Sequence, residues 1–192
     1  MPFQSALTVV ARVRDGEAGG LDRLLAEMGD GVANGEVLDF ESLTGVHFAR
    51  LVLVPAATDH RGRPLPADLV YIADLDVSPS RHLTELARAL GAGVDRVFSH
   101  CEGYPRSPTP DERLQWLRRH TVREPARYVN TRGRTVRQIR HEAELRDAVG
   151  DFLDRHRDEL AHREPAEVRA AVRDFVTGDP NLRWALEPAP RP

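Results

Sequence analysis

The chain has 192 residues and a formal net charge of −3, so it is long enough for one hydrophobic core and has no general electrostatic attraction for nucleic acid. Its 27 basic residues are all arginine, which excludes a Schiff-base lysine and the lysine of a P-loop. A single cysteine excludes an internal disulfide, and no apolar run approaches the roughly 20 residues that span a bilayer, so we expect a cytoplasmic protein with no membrane partner.

Predicted strands and helices alternate along the chain. Runs rich in β-branched residues predict four strands, over 6–14, 46–54, 69–75 and 126–130. Apolar residues at helical spacing predict helices that begin near Leu21, Ser78, Asp111, Thr135 and Pro165. The resulting order is β-α-β-β-α-β with a helical insert at about 106–122, which is the order of a ferredoxin-like fold.

The predicted fold class is therefore α+β. An antiparallel ferredoxin-like sheet with helices on one face occupies 1–132, and C-terminal helices over 133–192 pack on the same domain. The second strand, VHFARLVLV, is largely apolar on both sides, so both faces of the sheet need cover. The face without helices is expected to meet the C-terminal helices, a second subunit in a homodimer, or a small hydrophobic molecule in a pocket.

The element order over residues 5–131 resembles that of the dimeric α/β-barrel superfamily. The segments HFARLVLV (47–54), SHCEGYP (99–105) and YVNTRGRTVRQIRHEAELRDAV (128–149) are similar to an uncharacterised bacterial family. The superfamily resemblance implies a dimer that closes two sheets into a barrel. It also implies oxidative chemistry of the monooxygenase or peroxidase type, cofactor-free or haem-dependent. The chain departs from dye-decolourising peroxidases, because DLDVSPS follows the third strand in place of a Gly-x-x-Asp-Gly sequence.

His47 is the candidate general base. It lies inside the second strand on the side of Ala49 and Leu51, where a hydrogen-bonded core histidine is the commoner finding. If that side is the open one, His47 faces the substrate and can accept a proton, because histidine changes charge near neutral pH. The carbanion so formed would then react with oxygen. In a haem-dependent reaction, His47 or His100 would be the axial ligand.

Arg50 is a second catalytic candidate, on the opposite side of the strand from His47. Phe48 shares the side of Arg50 and is a candidate substrate contact. An arginine in the middle of a strand needs a partner, so we expect Arg50 either to pair with Asp74 or Asp76 or to stabilise bound oxygen or peroxide. His47 and Arg50 can line the same face only if a β-bulge intervenes.

The only cysteine, Cys101, lies between His100 and Glu102 in the segment FSHCEGYP. Consecutive helical residues point about 100° apart, so these three side chains do not converge on one metal within a helix. A helix C-terminus nearby disfavours a thiolate, so Cys101 is expected to be buried and inert. The alternatives are a substrate contact and a redox sensor that forms an intermolecular disulfide. His100 is kept as a catalytic candidate.

Tyr128 and Asn130 share one side of the predicted fourth strand. Tyr128 is a catalytic candidate and Asn130 a candidate substrate contact, because a phenol and an amide can orient a polar group. Tyr128 as a core aromatic residue with its hydroxyl at the rim is the alternative. Tyr71 on the third strand is a further candidate substrate contact.

Three arginines surround the predicted start of the long helix: Arg132, Arg134 and Arg137. Backbone amides and the helix dipole favour an anion at such a position, which predicts an anion-binding site. Solvated arginines paired with acidic residues later in the helix are the alternative.

Five other histidines lie on charged helices and are expected at the surface: His82, His120, His141, His156 and His162. None begins an H-E-x-x-H sequence, so no metal site is predicted. The sequence thus favours a small-molecule enzyme, with a non-catalytic ligand-binding or protein-interaction module as the alternative.

Overall fold

The computed structural model describes residues 4–31, 37–43, 45–123 and 135–186. The chain divides into two compact units, Pro2–Gly133 and Arg134–Pro192. The packing of the C-terminal helices on the sheet domain stays a prediction.

A four-stranded antiparallel sheet lies in the Pro2–Gly133 unit. Its described strands and a small hairpin are β1 (Ser5–Arg12), β2 (Val46–Val54), β3 (Ala57–Thr58), β4 (Pro64–Leu65), β5 (Asp68–Leu75) and β6 (Thr121–Val122). The order in the sheet is β2-β5-β1-β6, while β3 and β4 pair only with each other. All described pairs are antiparallel. The sheet of the single chain does not close into a barrel, and a barrel closed by the sheets of two subunits stays a prediction. The predicted strand at 126–130 lies outside the described residues.

The helices of this unit are α1 (Ala18–Gly31), α2 (Pro79–Ala89), α3 (Gly91–Phe98) and α4 (Pro110–Arg119), with a 3-10 turn at Phe40–Ser42. Side chains fix two of the helix starts. Ser78 accepts a hydrogen bond from the backbone of Arg81, and Thr109 forms a capping box with Glu112. Proline occupies an early position of both helices, where its missing N–H costs nothing.

The core lies on one face of the sheet. Burial alternates along β1 and β5, as expected for strands with one covered face. Buried residues of all four helices join the inward side chains of these strands in one cluster. The largest side chain of that cluster is Trp116, which is 1% exposed. Each large apolar side chain buried in this way contributes about 1.5–3 kcal/mol.

A β-bulge interrupts the pairing of β2 with β5 near its start. Val46 pairs with Leu75 and Phe48 with Asp74, so His47 is the extra residue. A bulge changes the direction in which the neighbouring side chains point. Val46 consequently packs against the core, although simple alternation places it on the same side as Phe48.

The second unit is helical, with α5 (Val136–Arg155), α6 (Arg157–Leu160), α7 (Pro165–Gly178) and a 3-10 turn at Arg183–Leu186. The Thr135 hydroxyl accepts a hydrogen bond from the Gln138 backbone at the start of α5. The rings of Phe152 and Phe175 stack at 4.6 Å and join α5 to α7. Among the described residues, no helix is both long and apolar enough to cross a membrane.

Candidate functional site

In the Pro2–Gly133 unit, the face of the sheet opposite the core carries exposed side chains. On β2 every second side chain after the bulge is exposed: Phe48, Arg50, Val52 and Val54. Phe48 is 72% exposed, and Val122 on the opposite edge strand is 43% exposed. Large apolar side chains that share an exposed face commonly mark a binding surface. We call the outward side chains of these strands the open face.

Arg50 is the charged group among the exposed apolar residues of β2. The strand register places it in a row that crosses the open face through Ile72, Thr8 and Val122. Its side chain is exposed and forms no ion pair with any described residue. The expected salt bridge to Asp74 or Asp76 is therefore wrong.

His47 lies on the opposite side from Arg50 and pairs with Asp76. The His47 Nε2 atom is 2.5 Å from Asp76 Oδ1, and the two side chains are 13% and 10% exposed. A carboxylate held against an imidazole fixes the orientation and tautomer of the ring. The two residues thus form a histidine–carboxylate pair at the end of the sheet, and His47 does not reach the open face.

Gly45 supports this pair from the backbone. Its carbonyl accepts a hydrogen bond from the Asp76 amide at 2.7 Å. Gly45 has a φ of +81°, and a Cβ atom there would lie 3.1 Å from Val77 Cγ1 and 3.2 Å from Asp76 Cβ. Only glycine can adopt this positive φ and leave room for Val77 and Asp76 without strain.

His100 lies at the other end of β1. The His100 backbone carbonyl accepts a hydrogen bond from the Arg14 amide, which lies just beyond the end of β1. Ser5, at the start of β1, pairs with Leu75, the residue before Asp76. A strand rises about 3.4 Å per residue, so the nine residue steps from Ser5 to Arg14 separate His47 from His100 by about 30 Å. The two candidate catalytic histidines therefore cannot serve one site.

His100 Nδ1 is 2.7 Å from Glu17 Oε2. The next residue, Cys101, is fully buried in the core and forms a β-bridge with Val13. Burial raises the pKa of the Cys101 thiol to about 12, against a smaller opposing effect of Arg14. Cys101 is therefore a protonated core residue and is not placed to contact a substrate or to sense oxidants.

Tyr71 is also in the core, at 1% exposed, so it does not contact a substrate on the open face. Its hydroxyl is 2.7 Å from His82 Nε2. His82 is fully buried, which makes its expected surface position wrong. The spacing of His82 and Leu86, four residues apart on an apolar helical stripe, was the signal for burial.

The other predicted site residues fall in two groups. Arg137 is exposed in the first turn of α5. The remaining four lie outside the described residues: Tyr128, Asn130, Arg132 and Arg134. Their catalytic, substrate-binding and anion-binding roles stay predictions.

Haem requires an available ligand nitrogen beside an apolar slot. Asp76 pairs with His47 Nε2, and Glu17 pairs with His100 Nδ1, and a carboxylate on one ring nitrogen leaves the other nitrogen able to ligate iron. The His100 ring packs on α1, with Cε1 3.4 Å from the point that a Cβ atom on Gly20 would take. Neither ring lines the cleft of about 600 Å³ beside α3 or the cleft of about 390 Å³ beside β6. No group of three metal-ligating side chains occurs among the described residues, and a role for haem stays a prediction.

Comparison with known proteins adds no relative to this description. Neither a family model, nor a curated protein, nor a solved structure matches the chain. The resemblance to the dimeric α/β-barrel superfamily therefore stays a prediction.

Proposed function

We propose that the Pro2–Gly133 unit is a binding module that holds a small hydrophobic molecule on the open face of its sheet. The observation that carries this proposal is the 72% exposure of Phe48, with Val52 and Val54 following it at two-residue spacing on β2. Covering such side chains is favourable at about 25 cal/mol per Å² of apolar surface. An apolar ligand would supply that cover.

Arg50 indicates what else the ligand carries. Binding sites for small molecules combine an apolar surface with a few polar groups that fix orientation. Arg50 stands between Phe48 and Val52 and has no ion pair among the described residues. We therefore propose a ligand with an apolar body and one anionic group.

The fold supports this placement. We propose that the sheet is of the ferredoxin-like type, since its order β2-β5-β1-β6 and its antiparallel pairing agree with that topology. In such a sheet the helices cover one face and leave the other for a ligand. A cytoplasmic location remains part of the proposal.

Binding of 1-anilinonaphthalene-8-sulfonate, an apolar body with one sulfonate, tests the proposal. The native chain is expected to bind the dye with one-to-one stoichiometry and enhanced fluorescence. Phe48→Ser removes the most exposed large apolar side chain of the described residues, and we expect it to weaken binding about tenfold or more. Arg50→Gln should weaken binding of the sulfonate while leaving binding of an uncharged analogue, 1-anilinonaphthalene, unchanged.

Leu65→Ser is the matched control, because Leu65 is 48% exposed on the separate β3–β4 hairpin. Its dye binding should equal that of the native chain. Equal binding by Phe48→Ser and the native chain would contradict the proposal. So would a native dimer, measured by sedimentation, that Phe48→Ser converts to monomers, since a second copy would then occupy the open face.

A second candidate function is the oxidative small-molecule enzyme that the sequence predicts. The His47–Asp76 pair favours it, because a carboxylate-oriented imidazole is suited to accept a proton from a carbon acid. The substrate would approach the ring at the end of the sheet, away from the open face. No haem is needed, because the resulting carbanion can transfer electrons to oxygen directly.

Oxygen uptake with a hydrophobic 1,3-diketone checks this second function. We expect His47→Gln to lower the rate about 100-fold or more, as loss of a general base does. Asp76→Asn should lower it by a smaller factor, because the ring stays but loses its orientation. His60→Gln, which changes an exposed histidine on the β3–β4 hairpin, serves as the control. A rate that His47→Gln leaves unchanged would rule out the proton-transfer role.

A further inference from the structure

A second surface of the Pro2–Gly133 unit lies beside α3, away from both sites above. It is an open cleft of about 600 Å³, a volume within the usual range for small-molecule sites. Three arginines line it, Arg14, Arg96 and Arg106. Apolar surface completes the lining: Ala92, Tyr104, Pro105 and Pro108.

Asp95 holds the wall of this cleft in place. Arg113 donates to both of its carboxylate oxygens, at 2.7 and 2.6 Å, and the Tyr104 hydroxyl donates at 2.5 Å. The Tyr104 ring meets the buried Trp116 ring edge-on at 5.0 Å. The wall is therefore organised before any ligand binds, which lowers the entropic cost of binding.

Among the described residues that line the cleft, Asp95 is the only acidic one, and Arg113 neutralises its charge. Burial raises its pKa, but hydrogen bonds from Arg113 and Tyr104 outweigh this effect and hold the pKa below its ordinary value. Its negative charge is matched by Arg113, so it does not offset the three arginines of the lining.

Two of these three arginines are unpaired within the described part of the chain. Arg96 forms a surface ion pair with Glu27 at 3.5 Å. Neither Arg14 nor Arg106 forms an ion pair with a described residue. Arg14 is positioned by its backbone, whose amide donates to the His100 carbonyl at 2.9 Å. The cleft thus presents two uncompensated positive charges beside an apolar wall.

We propose that this cleft binds a small phosphate monoester. Two uncompensated guanidinium groups match the double negative charge of a phosphate monoester, and guanidinium donors suit phosphate oxygens in a bidentate arrangement. Ser107 lines the same space, and its hydroxyl can donate to a further phosphate oxygen. The organic part of the ligand lies against the apolar wall formed by Pro105 and Pro108.

Isothermal titration calorimetry of the full chain with phenyl phosphate tests this site. We expect one binding event, weakened at least tenfold by Arg14→Gln and at least tenfold by Arg106→Gln, because each removes charge-assisted hydrogen bonds. Arg61→Gln is the matched control, since it makes the same charge change in the β3–β4 loop, and should bind phenyl phosphate as the native chain does.

Two further titrants identify the ligand chemistry. Inorganic phosphate should bind more weakly than phenyl phosphate, and benzoate more weakly still. Absence of binding, or binding that both Arg14→Gln and Arg106→Gln leave unchanged, would overturn the site. Benzoate bound as tightly as phenyl phosphate would overturn the phosphate assignment, and equally tight inorganic phosphate would overturn the role of the apolar wall.

Discussion

Gly93→Ala is expected to lower the free energy of unfolding of the Pro2–Gly133 unit by about 3 kcal/mol or more. A Cβ atom on Gly93 would lie 1.9 Å from the Val37 carbonyl oxygen and 2.7 Å from Leu38 Cδ2. The nearer contact is with backbone, so a side-chain rotation cannot relieve it. Helix α3 would have to move away from this segment, and the core residues it contributes, Val94 and Val97, would lose contacts.

Urea-induced unfolding followed by far-ultraviolet circular dichroism measures this effect. Gly29→Ala is the matched control, because nothing lies within 4 Å of the Cβ position of Gly29 in α1. Alanine is the better helix former, so we expect that variant to be unchanged or slightly more stable. Equal stability of Gly93→Ala and the native chain would show that α3 does not pack this closely against Val37.

The second large effect is a loss of stability in mild acid. Burial lowers the pKa of His82 from its ordinary 6.5 to about 4, against a smaller opposing effect of Glu85. Between these two values the unfolded chain binds more protons than the folded one. The free energy of unfolding should therefore fall by about 3 kcal/mol as the pH decreases from 6.5 to 4, and should be insensitive to His82 above pH 6.5.

Urea unfolding at several pH values between 4 and 7 checks this dependence. His82→Gln keeps a polar partner for the Tyr71 hydroxyl but cannot titrate, so its profile should be flatter in this window. Tyr71→Phe removes the hydrogen bond and costs about 1 kcal/mol at every pH. Tyr71→Phe should retain the dependence of the free energy of unfolding on pH, because burial and not the hydrogen bond is the main cause of the lowered His82 pKa. Parallel profiles for His82→Gln and the native chain would refute the assignment.

Local signals predicted most of the elements that the structure describes. The strand over 46–54 has the predicted bounds, because seven of its nine residues are apolar. Helix α2 begins as predicted, because Ser78 and Pro79 specify a helix start. Helix α3 is not among the predicted helices, and it uses Gly93 for close packing. That requirement is tertiary and is not visible in the local sequence.

The candidate site is harder to predict, because its geometry depends on contacts between residues that are far apart in the sequence. His47 and Asp76 are 29 residues apart, and the bulge that brings Val46 to the core side has no clear signature in VHFARLVLV. The sequence predicts that both sides of the sheet are apolar, but which side the helices cover follows from packing. The sequence does not predict the arginine cleft, because the residues of the cleft come from three separate segments.

The position of β2 in the sheet has a consequence for the behaviour of the chain at high concentration. β2 is an edge strand, so one row of its backbone N–H and C=O groups has no strand partner among the described residues. An apolar edge of this length can pair with a copy of itself and start a fibrillar aggregate. Arg50 opposes such growth, because identical strands stacked in register would place its charges about 4.8 Å apart. We therefore expect Arg50, which we propose to orient the ligand, also to disfavour self-association of β2.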